Sequence, residues 1–488
     1  MSFVKKLAGE TVIYGLSSIL PRVIHYLFFT IYITYRFEDT LQYGIYNDLY
    51  AYSTIILVLF LFRMDTAFFR FGSRDDDQER VFGTAIMPVM GIALAGVSLM
   101  YFNADLIAEW IAYEQGGYYV RWFAFILGFD AVAGMIYARF RLQSRPYRFL
   151  IYKVLNIVIT LFLVFLFLEI LPRMDVQSFE VKEPIDYVFI ANLIASATIL
   201  LLMLPELVKV KWGFDLVLWK RMLTYAFPLV IVGIAGNINQ VFAAPLQKFF
   251  LGENVEQNLA VAGKYMGPAK IALLLNLFTV AFNYAAEPFF FNNVGKENSE
   301  KAYGQIMHAF TMVAGVAMMG IVCFQELAIL IIGENYRGPQ EIIPILLFAY
   351  FFLGLYYNIS IWYKLSDKTI YGALISVGGA VITLSISIGM LSKVGYIASA
   401  WASLACFTFM MVVGYLLGQK HYPIVYPVKT VLKLIGLIAI MMVMTIYLKG
   451  RFDSDWISLG IGGLLFLVFG TVVFLSERKV IKEYLKPI

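Results

Sequence analysis

Arg22, Lys264 and Lys270 are cations set in stretches otherwise built of apolar residues. A charge at the centre of a bilayer costs roughly 2.5–3.5 kcal/mol on insertion scales, so a membrane helix keeps one where it meets a wet cavity or a partner. None of the three has an acidic residue one turn away on its own helix. Cations left without a local partner suit an anionic group such as a phosphate. Lys264 and Lys270 flank Gly267-Pro268 and stand about 120° apart around an ideal helix. His25 follows Arg22 by three residues on nearly the same face and is a candidate lining residue. Asn237, Asn239, Gln240 and Asn283 suit either sugar hydroxyls or contacts that lock helices together; both readings stay open. Asp48 and Asp130 are candidate proton or sodium sites, because a carboxylate kept from water can switch between charged and neutral forms. The plainer reading of both is a hydrogen-bonded helix contact. Arg63 and Asp65 are two residues apart, face opposite sides, and read as partners of neighbouring helices.

Other chemistries lack their residues. No G-x-x-x-x-G-K-[ST] loop is present, so nothing points to ATP hydrolysis. Three histidines and two cysteines give no metal-ligand spacing and no disulfide scaffold. Cys323 and Cys406 lie in apolar runs and read as packing residues. No cofactor, metal or catalytic residue is expected, and the chain reads as a non-enzyme.

The elements that must carry these charges follow from composition. Of 488 residues, 61% are apolar and 15% charged, and the mean hydropathy is +0.76. A soluble chain is roughly 45–50% apolar and about 25% charged. That excludes a soluble enzyme, a disordered chain and a nucleic-acid binder. A hydrocarbon core needs about 20 apolar residues of helix. Fourteen such stretches lie near 10–33, 45–70, 82–103, 118–138, 149–171, 187–208, 219–247, 257–286, 305–326, 342–363, 369–390, 396–418, 430–448 and 456–475. The expected fold is an all-α polytopic membrane protein. Lys and Arg in short loops set orientation. With both termini cytoplasmic, 25 of the 38 fall on that side, 8 outside and five within spans. The outer loops are short, which argues against a membrane-embedded glycan ligase or polymerase.

An internal similarity recurs at an offset near 220. Ala67-Phe68-Phe69-Arg70-Phe71, a charged loop and Phe82-Gly83 match Glu287-Pro288-Phe289-Phe290-Phe291, a charged loop and Tyr303-Gly304. Arg141-Leu142-Gln143-Ser144-Arg145 likewise matches Lys364-Leu365-Ser366-Asp367-Lys368. The spacing predicts two parallel six-helix lobes, 1–215 and 216–420, with the substrate site between them. Residues 421–488 then supply two additional spans and a cytoplasmic tail. Pro21, Pro228 and Pro268 are expected helix breaks, since proline removes a backbone bond and bends the helix.

Tyr14-Gly15-Leu16-Ser17-Ser18-Ile19-Leu20-Pro21-Arg22 resembles the first helix of Wzx-type oligosaccharide-lipid flippases. So do Tyr43-Gly44-Ile45-Tyr46 and Arg63-Met64-Asp65-Thr66-Ala67-Phe68-Phe69-Arg70-Phe71 in the second helix, and Ala281-Phe282-Asn283 with Glu287-Pro288-Phe289-Phe290 in the eighth. Ile343-Pro344-Ile345-Leu346-Leu347 and Val394-Gly395-Tyr396-Ile397-Ala398-Ser399-Ala400 resemble the tenth and twelfth. These flippases belong to the multidrug/oligosaccharidyl-lipid/polysaccharide (MOP) exporter superfamily. The resemblance implies two lobes around a cationic cavity and alternating access. It implies a polyprenyl-diphosphate-linked glycan, a polysaccharide or lipopolysaccharide precursor, moved from the cytoplasmic to the outer leaflet of a bacterial inner membrane. It places Arg22 with Lys264 or Lys270 at the substrate, with membrane lipids and polysaccharide-assembly proteins as partners and no nucleic acid. The competing reading within the superfamily is a cation-coupled multidrug exporter, which predicts acidic residues dominating the cavity.

Overall fold

The computed structural model describes residues 23–24, 29, 31–73, 75, 77–143, 145–174, 181–292, 299–366, 368–452 and 454–484. Lipid offers a backbone no hydrogen-bond partner, so a spanning segment satisfies its own amides as helix. The described residues accordingly contain helices and no strand. Among the described residues thirteen helices are long and apolar enough to cross a membrane, and they match the second to fourteenth expected spans. The first expected span lies largely outside the described residues.

The first compact unit contains residues 41–249 and 253–260. Its helices are α1 (Thr40–Leu61), α2 (Met64–Gly72), α3 (Gln78–Phe102), α4 (Ala104–Trp110), α5 (Gly117–Leu142) and α6 (Pro146–Phe165). They continue with α7 (Asp186–Val208), α8 (Leu216–Val241), α9 (Ala243–Phe250) and the first residues of α10 (Val255–Asn292). Side chains mark the starts. Asp77 accepts the Arg80 amide at the head of α3, Asp215 accepts those of Val217 and Leu218 at α8, and Pro146 occupies the first turn of α6. Each satisfies, or does without, an amide that has no partner in the first turn.

The second unit contains residues 29–40, 250–252 and 261–488. It holds the rest of α10, then α11 (Ser299–Cys323), α12 (Ile342–Ile359), α13 (Thr369–Val394), α14 (Ile397–His421), α15 (Val428–Lys449) and α16 (Asp455–Tyr484). The segment at 31–39 is held by the turn at 330–337. The Gly333 amide donates to Thr34 Oγ1 at 3.0 Å, and the Tyr336 hydroxyl to the Asp39 carbonyl at 2.9 Å. The last two helices are fastened to α11 at both ends. Lys449 Nζ donates to the Cys323 carbonyl at 2.8 Å and pairs with Glu326 at 2.6 Å. Toward the other end, buried His308 and Glu477 approach to 3.3 Å.

Two expected helix breaks are absent. α8 runs through Pro228 and α10 through Pro268 without ending. Each proline removes one backbone bond, which a membrane helix can make good from its neighbours. Interruptions fall elsewhere, one of them at Phe62 and Arg63, between α1 and α2, where φ is 47° and 54°. Both are non-glycine residues in the left-handed region, a conformation that costs roughly 1–2 kcal/mol each. Pro21 lies outside the described residues.

Candidate transport path and its buried charges

A fully buried ion pair stands in the first unit. Gly44 of α1 admits the backbone of Leu259: a Cβ there would lie 2.0 Å from the Leu259 carbonyl oxygen. Four residues on, and so on the same helix face, Asp48 meets Lys248 of α9. Lys248 Nζ donates to Asp48 Oδ2 at 2.8 Å, and both side chains are 0% exposed. The Tyr113 hydroxyl donates to the same oxygen at 2.8 Å. Nζ lies 3.9 Å from the centre of the Tyr113 ring. Asn258 Nδ2 holds the Lys248 carbonyl at 2.9 Å. Asp48 Oδ1 accepts no hydrogen bond. Burial, and then the Asp48 charge, push the Tyr113 phenol well above its ordinary value, so it stays a donor. Of the two readings open for Asp48, an ion site and a hydrogen-bonded helix contact, this geometry is that of the contact, with a lysine as the partner. Lys248 follows an apolar run in the sequence, with nothing local to signal a partner 200 positions earlier.

The remaining expected site residues fall in several places. Arg22 and His25 lie outside the described residues. Lys264 is exposed and makes no ion pair with a described residue, whereas Lys270 is half-buried. Both belong to the second unit. Between them, Gly267 lies against the Tyr336 carbonyl, which a Cβ would approach to 2.5 Å, so Gly267-Pro268 is a packing contact. Asn237 acts as a helix lock, donating to the Thr54 carbonyl at 3.0 Å. Asn239 is buried, Gln240 exposed and Asn283 half-buried. Asp130 of α5 stands near Ser196 of α7 and Lys153 of α6.

Arg63 carries a signal that spacing did not reveal. It sits at the left-handed break, its guanidinium lies where a Cβ on Gly233 of α8 would be 2.6 Å from Nη2, and its Nε is buried without a hydrogen bond. Asp65 points elsewhere, to Arg141 at 3.9 Å, as two-residue spacing requires. Among the described residues no group of His, Cys, Asp or Glu could hold a metal ion.

No protein-family model matches this sequence, and no curated protein is detectably similar to it. Solved structures are. The chain resembles a lipid II flippase, MurJ, in an inward closed conformation, with a TM-score of 0.70 at 16% identity, over 95% of this chain and 99% of that one. It resembles a MATE protein in complex with MaD3S, with a TM-score of 0.62 at 13% identity, over 84% and 95% of the two chains. An inward-facing multidrug resistance MATE family transporter of the MOP superfamily gives 0.59 at 14% identity, over 84% and 94%. The fold is the one these solved structures share. It agrees with the expected architecture of about fourteen spans, and the molecules that share it are transporters.

Proposed function

We propose that this protein flips a lipid-diphosphate-linked oligosaccharide from the cytoplasmic to the outer leaflet by alternating access, with the diphosphate passing the cations Arg22, Lys264 and Lys270. The observation that carries this reading is the likeness to a lipid II flippase over 95% of the chain. The fraction left out is shorter than α15 and α16 together, whereas the likeness to the MATE structures leaves out 16%. The exposure of Lys264 on a membrane helix adds support.

Physical chemistry requires such a protein for such a cargo. Moving a sugar through hydrocarbon costs roughly 2–7 kcal/mol for each unpaired polar group. A polar path removes that cost. A dianionic head moving outward also runs with an inside-negative potential, worth about 2.3 kcal/mol per charge per 100 mV, or about 4.6 for two. Export then needs no ATP.

The competing reading, a cation-coupled multidrug exporter, is supported by the likeness to MATE structures. Proteoliposomes separate the two. On the flippase reading, a fluorescent lipid-diphosphate oligosaccharide becomes accessible at the opposite leaflet, and faster with an inside-negative potential. Uptake of organic cations with no lipid flipping would transfer the function to the exporter class.

A further inference from the structure

A second cationic cluster lies where α3 and α6 begin and α5 and α7 end, at one membrane boundary of the first unit. Its centre is Glu206 of α7, whose carboxylate is 6% exposed although it stands at the edge of the span. Three cations converge on it: Arg148 in direct contact, Lys209 at 3.6 Å and Arg145 at 3.7 Å. Those three are 51%, 61% and 44% exposed. Beneath them, buried Arg139 donates to the Glu206 carbonyl at 2.8 Å and to both oxygens of Glu79 at 2.7 Å. Four cations therefore face two carboxylates. The surplus of two positive charges is held on the three exposed side chains, and their donors are only partly used by Glu206.

Two further features share this place. The first turn of α6, between Arg145 and Arg148, presents backbone amides and the positive end of a 20-residue helix. α6 and α7 pack together, and each carries uncovered apolar side chains: Tyr147, Ile151 and Phe162 on one and Leu201, Leu204 and Val208 on the other are 44–81% exposed. Orienting the chain across a membrane needs only a count of cations on one side. It does not require three of them to be fixed on one buried carboxylate at the top of a lipid-facing seam.

We infer that Arg145, Arg148 and Lys209 form a binding site for the phosphate headgroup of an anionic membrane lipid, whose acyl chains lie along the α6–α7 seam. Glu206 serves to hold the three cations in place and leaves their net charge for the phosphate. The occupant is a resident lipid, distinct from the transported glycan-lipid. The site shares no residue with the proposed path.

The test is native mass spectrometry of the purified full-length protein with phosphatidylglycerol or phosphatidylcholine added, alongside photoactivatable phosphatidylglycerol and peptide mapping. Wild-type protein retains phosphatidylglycerol over phosphatidylcholine, and the photoprobe labels segments 145–165 and 201–209. Each cation near a charged headgroup is worth about fivefold, so Arg145→Gln with Arg148→Gln weakens the first bound lipid roughly 30-fold. Arg121→Gln, at an exposed pair with Asp105 elsewhere, leaves binding unchanged. Equal retention of the two lipids, or labelling confined to other segments, overturns the proposal, and both are read on wild-type protein. Displacement of the lipid by inorganic phosphate at matching concentrations would show a site for free anions and overturn it too. Lipid flipping measured in parallel separates this site from the transport reading, because either can fail while the other stands.

Discussion

Lys248 and Lys264 are sixteen positions apart in sequence and stand in opposite electrostatic situations. The first is sealed from solvent, held by Asp48 and capped by the Tyr113 ring. The second is exposed on a membrane helix with no carboxylate of the described residues within ion-pair distance. The difference teaches that a lysine's place along a hydropathy profile does not reveal its role. What decides is whether the fold supplies a counter-charge. A matched cation maintains structure, and an unmatched one is free to meet a cargo.

That contrast is open to direct attack. The largest effect is expected at the matched lysine. Lys248→Met strands a buried carboxylate and should cost about 3–5 kcal/mol, read as a loss of thermal stability in detergent. Combining it with Asp48→Asn should recover most of that loss, because no isolated charge then remains. If the single and double variants melt alike, the pair is not the unit we describe.

A smaller loss is expected at Tyr113. Tyr113→Phe removes a hydrogen bond to a charged acceptor, worth about 1.5–3 kcal/mol. It should also alter the response to alkali. The folded state holds the Tyr113 proton more tightly than the unfolded chain does. The stability this confers is complete below the ordinary tyrosine value of about 10 and declines as pH rises above it. Melting curves from pH 8 to 11 should show that decline in the wild type and a shallower one in the variant. The smallest structural effect is expected at Lys264. Lys264→Gln should change stability by no more than about 0.5 kcal/mol, while transport of an anionic cargo falls. A large drop in melting temperature would show that Lys264 is matched after all.

Much of the fold was legible from hydropathy, because a lipid-facing helix must be apolar along its length. Spans such as 187–208 and 369–390 correspond to helices Asp186–Val208 and Thr369–Val394. The candidate site was less legible. Pro228 and Pro268 stand inside unbroken helices, while the actual break at Phe62-Arg63 has no proline or glycine. Its backbone is set by tertiary packing around Arg63 and Gly233, which no local pattern announces. Asp48 was recognised as an intramembrane carboxylate, but its partner comes from a helix two hundred positions on. The cations around Glu206 were read as topological anchors. Their convergence on one carboxylate requires the start of α6 to meet the end of α7.

The central claim is that Lys264, exposed with no described carboxylate in ion-pair distance, meets a phosphate-headed cargo, and that the matched Lys248 does not. It is tested most directly by leaflet-to-leaflet transfer of a lipid-diphosphate oligosaccharide in proteoliposomes holding equal amounts of folded wild type, Lys264→Gln and the Asp48→Asn, Lys248→Met double variant. The account predicts transfer by the wild type and the double variant and a loss of at least about tenfold in Lys264→Gln, the equivalent of 1.4 kcal/mol. Full activity in Lys264→Gln with none in the double variant would contradict it.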